Sequence, residues 1–266
     1  MAITTAMIKE LWGATGASLM DCKKALQAND GNFEKAAEYL REKGLAKATQ
    51  KVSRETGAGL VIVKEAGDSI CAVQINCETD FVGHTDDFKT FAHHVADQVL
   101  ADASLTNAEK LLAADYVPGK SIAVVTQEMI SRLGENIIIR GVARYTSDNA
   151  STIVEGYVHA GALEGDYGPM EGRIGVLVEL GANHAVDRNM LRDLARDLNL
   201  HIAALNPAYL APDDRPGDVT RNEACLLKQA FVRDDRITIE ELLQQKSREI
   251  GTPVTINRFV HFEVGA

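Results

Sequence analysis

Leu60 to Leu100, LVIVKEAGDSICAVQINCETDFVGHTDDFKTFAHHVADQVL, is the stretch that decides the fold. Leu60 to Lys64 and Ser69 to Ile75 are β-branched runs separated by Glu65-Ala66-Gly67-Asp68, a hairpin-length turn containing glycine, so they read as an antiparallel strand pair. From Asp86 to Leu100, Phe88, Phe91, Val95 and Val99 fall on one helical stripe. Between strand and helix lies Asn76 to Val82, N-C-E-T-D-F-V. Phe81, flanked by Asp80 and Val82, stands outside both periodic segments and has no obvious core to enter. Either the connection folds back and the ring caps its own core, which is how most aromatics are used, or Phe81 is offered to a partner.

Working outward, the second half repeats the plan. Thr152 to His159 and Arg173 to Leu180 read as strands joined by a glycine-rich connection, Gly161 to Gly172. A helix follows from Asp187 to about Ala204, with Met190, Leu191, Leu194 and Leu198 inward. The order strand, strand, helix thus occurs twice, which predicts two related α+β subdomains with antiparallel sheets, side by side. In the first half, helical patterns at Asn107 to Asp115 and Ser121 to Leu133 precede a strand, Asn136 to Arg140. In the second, Asn206-Pro207 ends the helix, Ala211 to Asp218 reads as an exposed loop, and a helix over Ile237 to Ile250 leads to a final strand. That strand, Pro253 to Val264, shows strict alternation of Val254, Ile256, Val260, Phe262 and Val264.

The head contains three short helical patterns. Thr4 or Thr5 can cap the first, whose stripe is Met7, Ile8 and Leu11 and which Gly13 and Gly16 end. Ser18-Leu19-Met20-Asp21 has the form of a capping box, and Leu19, Cys22 and Leu26 give the apolar face of the second. Asn32 caps the third, with Phe33, Ala36, Ala37 and Leu40 inward and Gly44 as its stop. Helices this short must share one small core. The expected organisation is a three-helix domain over 1–44, a basic linker with Lys47 and Lys51 over 45–57, a first core subdomain over 58–145 and a second over 146–266.

Composition narrows the function. With 266 residues, 45% apolar and 25% charged, the chain has the make-up of a soluble globular protein of about two domains. It has no run near the ~20 apolar residues of a membrane span and no signal-peptide layout at its start, which predicts a cytoplasmic protein. The net charge of -10 argues against general nucleic-acid binding. The charge is uneven, with +2 up to Glu55 and -12 beyond it, a mildly basic head on an acidic body that favours protein partners. Cys71 and Cys77 share one strand face, too far apart for a zinc clamp, and adjacent His93 and His94 diverge on their helix, so no metal site is expected. Ala114 to Ser121, A-D-Y-V-P-G-K-S, matches the tail of a phosphate-binding loop, but Ala114 stands at the first glycine position and Pro118 removes a backbone donor. The chain itself is therefore not expected to bind nucleotide or any cofactor. No nucleophile–base set is present, and Glu78 with Asp80 reads as solvated surface more readily than as a paired-acid site. These exclusions predict a protein that is not an enzyme.

The chain resembles the translation elongation factor Ts family, guanine-nucleotide exchange factors for elongation factor Tu. The matching segments are T-G-A-S-L-M-D-C-K-K-A-L at Thr15 to Leu26, C-E-T-D-F-V at Cys77 to Val82, I-S-R-L-G-E-N-I at Ile130 to Ile137, G-R-I-G-V-L-V-E-L at Gly172 to Leu180 and R-F-V-H-F-E-V-G at Arg258 to Gly265. The resemblance implies a ubiquitin-associated-like head on a two-subdomain core and elongation factor Tu bound to GDP as partner, with a higher-order complex with two copies also allowed. It implies that Thr79, Asp80, Phe81 and Val82 insert near the partner's magnesium and nucleotide site, Phe81 acting as an apolar wedge. It places Leu19, Met20 and Lys23 of the head on the partner's nucleotide domain. Two departures stand out. The region near 211–227 is shorter than the helical hairpin common in the family, and some members continue past the last strand into a helical segment.

Overall fold

The computed structural model describes residues 2–147, 149–160, 168–215 and 224–266, apart from the side chains at positions 45 and 47. Helices α1 (Thr5–Thr15), α2 (Leu19–Ala28) and α3 (Phe33–Thr49) form the head. Each begins on a side chain that accepts from an otherwise free N–H: Thr4 from Met7, Ser18 from Asp21 and Asn32 from Lys35. Leu11, Cys22, Ala25, Leu26, Ala36 and Leu40 make the shared core. Leu19, expected on the inner face, is 53% exposed, because it lies in the first turn of α2, where this shallow core runs out.

Gly44 does not stop α3, which continues to Thr49. A Cβ at position 44 would overlap Ser131, so the glycine lets the helix cross closely over a helix of the body. The end of α3 therefore packs on the body, with Ala48 buried in the same cluster as Phe88 and Met129. Over 45–57, where a basic linker is expected, the chain continues α3 to Thr49 and then makes a turn.

The first half comprises β1 (Ala58–Ala66), β2 (Ser69–Cys77), α4 (Asp80–Gly83), α5 (Asp86–Ala101), α6 (Ala108–Ala113), β3 (Asp115–Val117), β4 (Lys120–Ser121), α7 (Ile122–Leu133) and β5 (Ile137–Thr146). The second comprises β6 (Thr152–His159), β7 (Glu171–Gly172), β8 (Ile174–Ala182), α8 (Arg188–Leu205), β9 (Ala230–Phe231), β10 (Asp234–Thr238), α9 (Ile239–Ile250) and β11 (Val254–Glu263). The repeat is deeper than strand, strand, helix. In each half a later helix and strand return, and that strand pairs antiparallel with the second strand of the hairpin, giving the orders β5-β2-β1 and β11-β8-β6. β7 adds to the outer edge of the first sheet through β1, so the halves share a sheet.

The layers run helix, sheet, sheet, helix. Leu60, Ile62, Val73 and Ile75 face α5 and α7, against Phe88, Phe91, Met129 and Ile130. From the other faces of β1 and β2, Val61, Val63, Ile70 and Ala72 meet Leu177 of the second sheet. Val176, Val178 and Leu180 then face α8 and α9. This accounts for the apolar runs without a polar face in the opening strands: each is covered on both sides. The sheets approach closely because Gly156 and Gly175 stand at the interface, where a Cβ would overlap Ile70 and Val61 respectively.

β11 departs from the strict alternation expected of it. A bulge between Ile256 and Arg258 shifts the register, so Val254, Ile256 and Phe259 pack toward the helices while Val260, Phe262 and Val264 turn to the sheet interface. An extra residue in a strand flips every following side chain. The last helix begins at Ile239, two residues later than expected. Thr238 and Glu241 form its capping box, and the β9–β10 hairpin occupies the residues before it. In the region near 211–227, Pro212–Asp214 form a 3-10 turn, Leu226 is buried and 216–223 lie outside the described residues, as does 161–167 of the glycine-rich connection.

Candidate partner-binding site

The connection holding Phe81 is a single helical turn, α4, instead of a loop. β2 ends at Cys77, whose thiol burial pushes up to about 12; still protonated, it donates to the Thr79 carbonyl at 3.1 Å. Thr79 is extended and makes no cap bond of its own. Instead its N–H donates to Glu135 Oε2 at 3.0 Å and its hydroxyl to Oε1 at 2.6 Å. Downstream, the Thr85 hydroxyl donates to the Val82 carbonyl at 2.8 Å and accepts from Phe88 N–H at 3.3 Å, joining the turn to α5. Val82 points into the body core. Phe81 points out, 90% exposed, the most exposed of the large apolar side chains among the described residues.

Asp80 and Glu78, weighed as a pair in the sequence, diverge. Asp80 lies 3.7 Å from Arg173 Nη1, and Arg173 Nη2 also donates to the Val264 carbonyl at 3.2 Å. Glu78 accepts from Asn136 N–H at 2.7 Å and faces Arg54 at 3.4 Å. The Asn136 amide donates to the carbonyls of Val52 and Arg54, and Lys51 to that of Gly134 at 2.5 Å. The turn after α7 is thus a junction that ties the segment following α3 and the start of α4 to one place. Sequence reasoning assigned no role to Glu135, Asn136 or Arg173. The signal was present, since the first two lie in I-S-R-L-G-E-N-I and the third in G-R-I-G-V-L-V-E-L.

Leu19 and Met20 are 53% and 62% exposed on α2, with Lys23 one turn on, also exposed. They stand on the head, whereas Phe81 stands on the body. Trp12, 51% exposed, adds an apolar surface on the head that was not foreseen. A cleft of about 790 Å³ separates head from body, lined by Phe33, Ala37, Phe91, Tyr116 and Met129. Its cations are matched by carboxylates: Arg41 with Glu38, Lys120 with Glu128 and Arg132 with Asp87.

Among the described residues, no group of three or more His, Cys, Asp or Glu side chains could hold a metal ion. His93 reaches Glu171 at 2.7 Å while His94 reaches the Tyr116 carbonyl at 2.9 Å, in keeping with their divergence on the helix. All four cysteines are buried and free. The phosphate-loop near miss is a small hairpin, β3–β4, turning on Gly119 at φ 79. No described helix is long and apolar enough to cross a membrane.

A model of the family described as Elongation factor TS matches residues 78–224 and 218–266. Elongation factor Ts of Clostridium novyi (strain NT) is 37% identical over 299 residues, spanning 99% of this chain and 93% of the relative. The protein of the same name from Clostridium perfringens (strain SM101 / Type A) is 37% identical over 297 residues, with the same coverage of both chains. That of Clostridium kluyveri (strain NBRC 12016) is 35% identical over 299 residues, again spanning 99% of this chain. With the family match reaching from the Phe81 turn to the last strand, and full-length relatives adding the head, this chain belongs to the elongation factor Ts family.

Proposed function

We propose that Thr79, Asp80, Phe81 and Val82 release GDP from elongation factor Tu by inserting near the partner's magnesium and nucleotide site. As a member of its family the chain is a non-catalytic nucleotide exchange factor for elongation factor Tu in translation elongation; the insertion is our reading of how it does this. The observation that carries the reading is Phe81, a large ring 90% exposed on a turn whose neighbours are all held: Thr79 by Glu135, Asp80 by Arg173 and Val82 by the core. Phe81 is the wedge, Val82 its anchor, and Asp80 a carboxylate that can exchange its exposed ion pair with Arg173 for contacts on the partner. Leu19, Met20 and Lys23, with Trp12, give the head a second contact surface. The protein works in the cytoplasm, where its partner does.

Such a factor needs no reacting group. It needs to bind the open, metal-poor partner better than the closed, nucleotide-bound one. The test is stopped-flow release of fluorescent GDP from preloaded partner. Native chain should accelerate release and Phe81→Ala should lose most of that acceleration, by roughly tenfold or more for a buried aromatic anchor. Wild-type release by Phe81→Ala would sink the wedge.

A further inference from the structure

The turn carrying Phe81 does not support itself. Four helical residues make too few internal hydrogen bonds to hold their shape, and the N–H groups at a helix start need acceptors from outside. Thr79 supplies no cap. A carboxylate from another element takes that place, as Glu135 accepts both from the Thr79 N–H, at 3.0 Å, and from its hydroxyl, at 2.6 Å. Such a fork fixes the rotation of Thr79 as well as its position, and a negative charge suits a helix N-terminus.

Glu135 is itself well placed to act as a fixed support. Before it, Gly134 closes α7 in the left-handed conformation at φ 83, with its carbonyl taken by Lys51. After it, Asn136 is only 1% exposed, held through its N–H by Glu78 and through its amide by two carbonyls of the 52–54 segment. Both neighbours of Glu135 are immobilised, so its carboxylate is delivered to Thr79 from a rigid corner.

We propose that Glu135 is a positioning residue for nucleotide exchange: it keeps the Thr79–Val82 turn in its binding-ready shape, so that Phe81 meets the partner already placed. The proposal rests on the wedge reading above. Without the fork the turn samples other shapes, and apparent affinity falls by the fraction of molecules that are competent. Once docked, the factor releases nucleotide as fast as before.

Full-length Glu135→Ala, Glu135→Gln, Phe81→Ala and the double variant Glu135→Ala with Phe81→Ala would be titrated to saturation against partner loaded with fluorescent GDP. Glu135→Ala should raise the half-saturating concentration roughly tenfold and leave the plateau rate unchanged. Glu135→Gln, whose side-chain oxygen still accepts from the Thr79 N–H, should fall between. The double variant should keep the low plateau of Phe81→Ala. Hydrogen exchange at the Thr79 amide should accelerate in Glu135→Ala while the melting temperature stays within about 2 °C of native, which separates positioning from general stability. If Phe81→Ala releases GDP like the native chain, the wedge reading fails first. If Phe81→Ala is impaired but Glu135→Ala keeps the native half-saturation, the positioning role is overturned and the wedge stands. A Glu135→Ala protein that loses plateau rate, or melts well below the native chain, also overturns it.

Discussion

Neutralising Glu171 tests how the two halves are held together. This residue lies in β7, a strand contributed by the second half that completes the first sheet. Its carboxylate is 7% exposed and receives Lys89 Nζ at 2.9 Å, His93 Nε2 at 2.7 Å and the Gly168 N–H at 3.0 Å. Burial works to raise its pKa, but the Gly168 N–H, Lys89 and His93 together outweigh burial and hold it down to about 2, against an ordinary 4.5. Because the folded value lies below the unfolded one, the unfolded chain binds more protons between them. The stabilisation is therefore complete above about pH 4.5 and is lost as pH falls toward 2. Its size at neutral pH is about 3 kcal/mol, and Glu171→Gln, which keeps the shape and removes the charge, should lower the unfolding free energy by about that much. Urea unfolding of both proteins at a series of pH values measures it. The gap should be widest at neutral pH and narrow steadily below about pH 4.5. A gap that is equal at neutral pH and near pH 3, or absent at neutral pH, would refute the assignment of this carboxylate as an ionised clasp.

Two further perturbations probe the layers. Gly175→Val should cost about 3 kcal/mol, because a Cβ there overlaps Val61 across the sheet interface and one sheet must move; thermal unfolding indistinguishable from native would show that the interface is loose. Asn199 is fully buried on the inner stripe of α8, and neither atom of its amide has a hydrogen-bond partner among the described residues. Asn199→Leu, with the same branching and no polar atoms, should raise stability by about 1 kcal/mol. A loss of stability on denaturant unfolding would mean that the amide is satisfied by an ordered water.

Much of this architecture is written in local pattern. Hairpin, helix and the second copy of both follow from glycine at turns and from the period of the apolar residues, as with Phe88, Phe91, Val95 and Val99, which are all buried. What pattern could not supply is contact between distant segments. Gly44 looks like a helix stop until Ser131 is seen against it. The alternation in β11 reads as one face until the bulge after Ile256 divides it. Leu19 fits an apolar stripe until the core proves too short to reach it. At the candidate site, Phe81 was legible because it fitted no period. Glu135 and Arg173 stand in segments that resemble the family, yet their roles were not legible, because a carboxylate that caps a helix 56 residues earlier in the chain carries no mark in its own local pattern.

The geometry around Phe81 also bears on why an exchange factor would keep such a residue. A phenylalanine left in water forgoes the roughly 2 kcal/mol that burying its ring would give the fold. Here Val82 enters the core in its place, so the turn stays attached while the ring remains unspent. On the wedge reading that free energy is recovered on the partner, and only on the conformation that opens a place for the ring. Coupling of this kind is reciprocal: whatever factor binding subtracts from the partner's affinity for GDP, GDP subtracts equally from its affinity for the factor. A stiffly held turn raises the factor's affinity for its partner and leaves the size of that coupling unchanged. The order supplied by Glu135 exists before the encounter, so little of the ring's contribution is offset by ordering the segment that carries it.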